Sequence, residues 1–285
     1  MANAAITTST EAATILRETW DDQFGLDPTE EAIVAKLVAE PHGVTKIGKK
    51  LHLRKLKAMT AQSFTASTTY DATAMTFSAQ TEVEVQVSPT ASYVAIELNP
   101  DTINQIIDDG NAIAGWRKQM MASLDEVVDE TLLDLAISAS LTETGATIDD
   151  AIVRAALAKL AKNAKRKFRI GKTPYNIVIH PDKIGAALGI DTLKEYRIRG
   201  SAGSAVSGAL VSIYGANIEE SGLVDLSAGT YYNPLFIQDA WALGWNQKPK
   251  MLEVQHDGLL TRFVAYVEFG VAEWFDSSIV SLNTT

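Results

Sequence analysis

From Lys50 to Arg54 the chain alternates charge with leucine, and from Thr81 to Val87 it alternates polar or acidic residues with valine. Both stretches have the period of a half-buried strand, and together they predict a two-stranded β arm over residues 44–96. Between the limbs, over residues 58–80, the large apolar side chains are Met59, Phe64, Tyr70, Met75 and Phe77, set in a run rich in Ser, Thr and Ala. Such a tip buries too little surface to offset the entropy of ordering it, and a lone hairpin is marginal in water. The arm therefore needs partners from outside itself, and the simplest supplier is another copy of the chain.

Helical spacing governs the segments on either side. Ser9 or Thr10 caps a predicted helix through Trp20, and Asp27-Pro28 opens another in which Ile33, Val34, Leu37 and Val38 recur until Pro41. Asn99-Pro100 starts a helical pattern that runs to about Ser140, with interruptions at Gly110 and Gly115 that predict two helices. In the second, Met120, Leu124, Val127, Val128, Thr131 and Leu135 form one long apolar stripe, the mark of a spine helix. Asp149 caps a further helix through Phe168, with Ile152, Ala156 and Leu160 facing inward.

From Pro174 the pattern changes to short α/β units. Residues 175–179 read as a buried strand, 181–188 as a helix, 200–208 (GSAGSAVSG) as a flexible loop, and 210–214 and 235–238 as strands. Residues 251–255 and 259–269 flank Asp257-Gly258, a hairpin turn signal, and 279–282 form a last strand. The fold class is α+β.

Composition narrows the function. With 285 residues and 46% hydrophobic content the chain can build an ordinary core, and no repeat of fixed period points to a solenoid. A formal charge of −10 argues against a dedicated nucleic-acid binder and for solubility by self-repulsion. There is no cysteine, hence no disulfide and no thiolate metal site. The first residues lack the features of a secretory signal, and no apolar run approaches the ~18 residues a membrane helix needs. The expected location of synthesis is the cytoplasm, with no membrane partner.

Candidate chemistry fails test by test. Gly171-Lys172-Thr173 resembles the end of a phosphate-binding loop, but Arg166 stands where glycine is required and the segment precedes a strand. His42, His52, His180 and His256 lack metal-ligand spacing, and His256-Asp257 lies in a turn. Asp108-Asp109, Asp149-Asp150 and Glu219-Glu220 are adjacent pairs whose carboxylates diverge on a helix. No nucleophile elbow, dinucleotide glycine pattern or H-E-x-x-H occurs. No catalytic residue, cofactor or metal is expected. The cations from Lys159 to Arg169 form the one cluster suited to nucleic acid, and at a helix C-terminus the dipole explains them better.

Taken in order, helical arm, polar β loop, spine helix, second helix, α/β insert and terminal hairpin resemble the major capsid protein of tailed bacteriophages, the Hong Kong ninety-seven type fold. The more specific pieces are Val128-Asp129-Glu130-Thr131-Leu132-Leu133, Ile177-Val178-Ile179-His180-Pro181, and the arginine-bearing stretch from Arg262 to Val271 followed by Ile279-Val280-Ser281-Leu282. The resemblance implies an N-terminal arm over 1–40, an extended β loop over 41–96, a peripheral domain over 97–172 and 249–285, and an axial domain over 173–248. It implies a non-enzymatic shell protein of the virion, assembled in the host cytoplasm as hexamers and pentamers around double-stranded DNA that it touches only weakly and non-specifically. Because the arm begins within about ten residues of Met1 by its capping signal, a separate scaffolding protein is expected, together with a portal. No lysine lies between Lys57 and Lys118, so the lysine-to-asparagine cross-link of some relatives is not expected.

Within that resemblance, Phe64, Tyr70 and Phe77 are the expected anchors into a neighbouring copy, since aromatic residues dominate interfaces when they fill pockets. Lys49, Lys50 and Arg54 of the outgoing limb are expected to pair with acids of a neighbour's spine, Asp125, Glu126 and Asp129. The nearest rival is an encapsulin compartment holding a cargo enzyme. A soluble cytosolic α+β enzyme with an unrecognised site is the rival from another class.

Overall fold

A computed structural model of the chain describes residues 32–40, 45–47, 50–56, 82–98, 110–165, 168–170, 172–188, 212–256 and 260–285. Val34–Leu37 (α1) is a single helical turn. The arm follows as β1 (Thr45–Ile47), β2 (Lys50–Leu56) and β3 (Glu82–Val87), an antiparallel ladder in which Leu51 faces Val87 and Leu56 faces Glu82. The two limbs lie where the alternation puts them. The short β1, which pairs Thr45 with His52, adds a third strand that the sequence pattern did not indicate.

After Val87 the chain leaves the arm. Strand β4 (Thr90–Leu98) pairs with the long return strand near the C-terminus instead of with the outgoing limb. The base of the arm also finds partners in its own chain, because Val87 packs, as Trp274 does, against the buried pair Ala242 and Ala272. The predicted flexible loop at 200–208, the turn at Asp257-Gly258 and the first predicted helix lie outside the described residues.

The spine helix α2 (Gly110–Asp134) runs through Gly115 without a break, so the interruption expected there does not occur. One interior glycine costs a helix only about 1 kcal/mol, less than the packing of a full apolar stripe returns. Met120, Leu124, Val128, Leu132 and Leu133 are all buried along it. Next come β5 (Thr142–Gly145) and α3 (Asp150–Ala164). Asp149 caps α3 as predicted, its side chain accepting the Ile152 amide at 2.8 Å. The helix ends at Ala164 and not at Phe168, with Lys165 at φ 51°.

The remaining elements are β6 (Tyr175–Ile179), α4 (Pro181–Leu188), β7 (Ser212–Ile213), β8 (Ala216–Glu220), β9 (Leu226–Ser227), β10 (Thr230–Phe236), β11 (Trp241–His256), β12 (Leu260–Glu273) and β13 (Ile279–Thr284). A seven-stranded mixed sheet has the order β5-β13-β10-β6-β8-β7, with β9 paired to β10. A three-stranded antiparallel sheet has the order β11-β12-β4.

The seven-stranded sheet is buried on both faces, which is why Tyr175–Ile179 reads as an unbroken apolar run. On one face Tyr175, Ile177, Leu235, Val280 and Leu282 meet Val153, Leu157 and Leu160 of α3. On the other, Val178, Phe236 and Ile279 join the core built by α1, α2 and the inner face of the three-stranded sheet, Phe263, Ala265, Val267 and Phe269. Thus α3 packs on the α/β segment that follows it, and the last strand joins the same sheet although β11 and β12 intervene.

Candidate assembly surfaces

Three surfaces offer themselves for contact with another molecule, and the first involves the segment ahead of the arm. Asp129 of α2 is buried, and its carboxylate accepts the amides of Ile33, Val34 and Ala35 at 2.6, 3.0 and 2.8 Å. It caps α1 from 96 residues away in sequence. At the other end of the segment Ala39 bridges Ala242, with Leu243 donating to the Ala39 carbonyl at 3.1 Å. Glu40 then accepts from Trp245 Nε1 at 2.9 Å and pairs with Lys248 at 3.4 Å. Residues 33–40 are therefore a strap fastened at both ends.

This placement corrects one expectation. Asp129, expected to meet cations of a neighbouring arm, is turned inward and holds its own chain's strap, because three converging amides solvate a buried carboxylate better than a distant ammonium. Asp125 and Glu126, half-buried on the same helix, remain at the surface. Lys50 is exposed at the start of β2, and Arg54 stands opposite Glu84 in the ladder. Lys49, Phe64, Tyr70 and Phe77 lie outside the described residues.

The second surface is the outer face of the three-stranded sheet. Val94 and Ile96 of β4 face the core, which turns Tyr93 and Ala95 outward. Tyr93 is 75% exposed and sits opposite Tyr266, which in turn sits opposite Lys250. The next row is Ala95, Val264 and Leu252, and beyond it Arg262 pairs with Glu97 at 2.8 Å. Tyr93, Ala95, Ile96, Glu97, Arg262 and Val264 line a shallow depression of about 300 Å³. Nothing in the sequence separated these outward positions from inward ones until the register of β4 on β12 was fixed.

The third surface surrounds the stem of the segment 189–211. Tyr214 (φ 53°) and Gly215 (φ 88°) form the tight turn between β7 and β8. Tyr175 donates its hydroxyl proton to the Tyr214 carbonyl, and the Tyr214 hydroxyl donates to Asp150. Arg154 donates Nε to the same hydroxyl at 2.8 Å and pairs with Asp150 at 2.6 Å. Burial raises the Tyr175 phenol above its ordinary pKa. The network ties the turn to the first turn of α3, a structural tie with no nucleophile or acid–base pair at its centre.

Among the described residues no cluster of His, Asp and Glu is placed to hold a metal, and no helix is long and apolar enough to cross a membrane.

Neither a family model nor a curated protein matches the sequence. Solved structures do match in shape. The capsid structure of the cyanophage P-SCSP1u superposes with a TM-score of 0.71 at 11% identity, covering 98% of this chain and 95% of that one. The head structure of the Helicobacter pylori bacteriophage KHP40 gives 0.71 at 11% identity, with 100% and 99% covered. The mature capsid of bacteriophage PhiM1 gives 0.68 at 10% identity, with 94% and 91% covered.

Proposed function

Since the chain has the α+β fold of phage capsid subunits, of the Hong Kong ninety-seven type, we propose that it is a major capsid protein that assembles with copies of itself into an icosahedral shell. The observation that carries this reading is the superposition of nearly the whole chain on phage capsid and head structures. A fold alone does not specify function. The surfaces add to it, since an arm with a near-coreless tip and an exposed apolar sheet face are what self-association requires of a subunit.

In this reading the shell is a non-enzymatic part of the virion, built from hexamers and pentamers. It encloses double-stranded DNA with weak, non-specific contact, and a scaffolding protein and a portal are separate partners. Phage heads among the neighbours favour DNA over an encapsulin's protein cargo. The seven-stranded sheet with α3 serves as the axial body, and α2 with the three-stranded sheet as the peripheral body. The arm reaches a neighbouring copy, where Phe64, Tyr70 and Phe77 settle on an apolar face such as that around Tyr93, and Lys49, Lys50 and Arg54 approach Asp125 and Glu126 of the neighbour's spine.

Light scattering and negative-stain microscopy of the purified protein test the proposal. Closed particles of many megadaltons are expected. A protein that stays monomeric or dimeric across protein and salt concentrations, with or without co-expressed scaffold, ends it.

A further inference from the structure

Between Asp150 and Asp182 the sequence carries eight Lys and Arg residues and no acid, in a chain whose net charge is −10. Two of the eight work within the chain: Arg154 on Asp150, and Lys159 on Glu143 at 2.8 Å and on the Thr142 carbonyl at 2.5 Å. Lys162, Lys165, Arg169 and Lys172 are exposed and form no ion pair among the described residues. The dipole of α3 accounts for Lys162 and Lys165. It does not account for Arg169 and Lys172, which lie beyond the helix.

Those two are nonetheless held in place. Phe168 is buried and meets Tyr175 edge-on at 5.0 Å. The Arg169 amide donates to Thr173 Oγ1 at 3.1 Å, and the Arg169 carbonyl accepts from the amides of Lys172 and Thr173 at 3.0 Å. The backbone that carries Arg169 and Lys172 is thus tied by hydrogen bonds, which lowers the cost of binding through them.

The other end of the same sheet carries more acid than base, with Lys183 there donating to the Thr285 carbonyl at 2.6 Å. Strand β6 leads away from the basic turn for five residues, about 17 Å, to His180. There Glu219 and Glu220 close the parallel strand β8 opposite Val178 and Ile179, and Asp182 opens α4. The Asp225 carbonyl accepts the Tyr232 amide at 3.1 Å, beside Asn233, whose Oδ1 accepts the His180 amide at 3.0 Å. Glu130 and Asp134 bring two more carboxylates from the end of α2. Partial burial and the charges of Asp225 and Glu130 push the Asp134 carboxyl above its ordinary pKa, a sign of like-charge crowding within one subunit.

We propose that the basic end of one subunit, Lys162, Lys165, Arg169 and Lys172, docks on the acidic end of the next copy, Glu219, Glu220, Asp225 and Asp134, as a head-to-tail contact within the ring. The proposal rests on the shell reading and names a contact inside it. A heterologous contact needs two different complementary surfaces on one molecule, and this sheet carries them at its opposite ends. The second copy is preferred to nucleic acid as the occupant because the chain as a whole carries a net charge of −10, which opposes phosphate at long range.

Charge reversal with rescue tests it, read by sedimentation and microscopy on subunits whose circular dichroism matches the wild type. Arg169→Glu with Lys172→Glu, and separately Asp134→Lys with Asp225→Lys, should each raise the protein concentration needed for assembly at least tenfold. All four together should restore particles. If a reversal variant misfolds, Arg169→Gln with Lys172→Gln replaces it, with a rise of about tenfold expected. Particles that form regardless of reversal, or a fourfold variant no better than the worse double, overturn the contact while leaving the shell intact. A basic-end variant that assembles normally but loses affinity for a duplex DNA fragment assigns the surface to nucleic acid and also overturns it. A wild-type protein that forms no particles removes the shell reading and this contact with it.

Discussion

The carboxylate of Asp129 does the work of three water molecules that the strap excludes. It meets the amides of Ile33, Val34 and Ala35, and a buried amide left without an acceptor costs about 1–3 kcal/mol. Asp129→Ala should therefore destabilise the unassembled subunit by about 3 kcal/mol in urea unfolding, with some of the loss recovered when water reaches the freed amides. A change below about 0.5 kcal/mol would mean that the strap does not depend on its cap. Asp134 behaves oppositely. Its carboxyl binds the proton more tightly in the folded chain than in the unfolded one, so its contribution is fully present below the ordinary value of 3.8 and is lost as pH rises through the folded value. Asp134→Asn should melt above the wild type at neutral pH, and the two curves should converge near about pH 3, where both side chains are uncharged. Local chemistry of this kind was legible where partners are close in sequence: the Asp149 cap lies three residues from its amide. Asp129 could not be read the same way, since its partners lie more than ninety residues upstream and its own neighbours suggest only a helix surface.

Elements were legible when their period was pure. Helix α4 and strand β6 fall on the residues the pattern indicates, while β5, Thr-Glu-Thr-Gly, has no apolar alternation and is a strand only because β13 lies beside it. Likewise β8 was not indicated: the stretch that reads as a strand, 210–214, ends at the Tyr214-Gly215 turn, and β8 begins just beyond it. Two glycines show how the element decides the effect of one substitution. Gly185 lies inside α4, and a Cβ there meets nothing within 4 Å. Gly185→Ala should raise stability by about 0.5–1 kcal/mol, because alanine loses less backbone entropy in a helix. Gly215 also has room, its nearest contact being the Tyr175 hydroxyl at 3.8 Å, but its φ of +88° suits no L side chain. Gly215→Ala should lower stability by about 1–2 kcal/mol. Thermal melts of the two variants must move in opposite directions; movement in the same direction would refute the assignment of at least one backbone.

At the scale of the molecule, the order of elements along the chain was enough to suggest the fold, but not how distant segments share a core. That sharing arises from long-range pairing: β4 on β12 across Tyr93 and Tyr266, and β13 between β5 and β10, none of which local periodicity encodes. In the proposed shell the arm is where subunit and assembly separate. Its base is built from its own chain, through the β1-β2-β3 ladder and the packing of Val87 on Ala242 and Ala272. The ladder ends with Leu56 opposite Glu82, so residues 57–81 leave and return at adjacent points, and an Asn-Gly turn can join the two strands in their place. If the tip contributes only to contacts between copies, this replacement should leave the melting temperature of the isolated subunit within about 2 °C of the wild type, a span worth about 1 kcal/mol for a chain of this size. On the proposed reading it should also abolish closed particles, because Phe64, Tyr70 and Phe77, the anchors proposed there, go with it. A subunit that melts much lower after the replacement would show that the tip stabilises its own chain, and particles that still close would show that the shell is held without it.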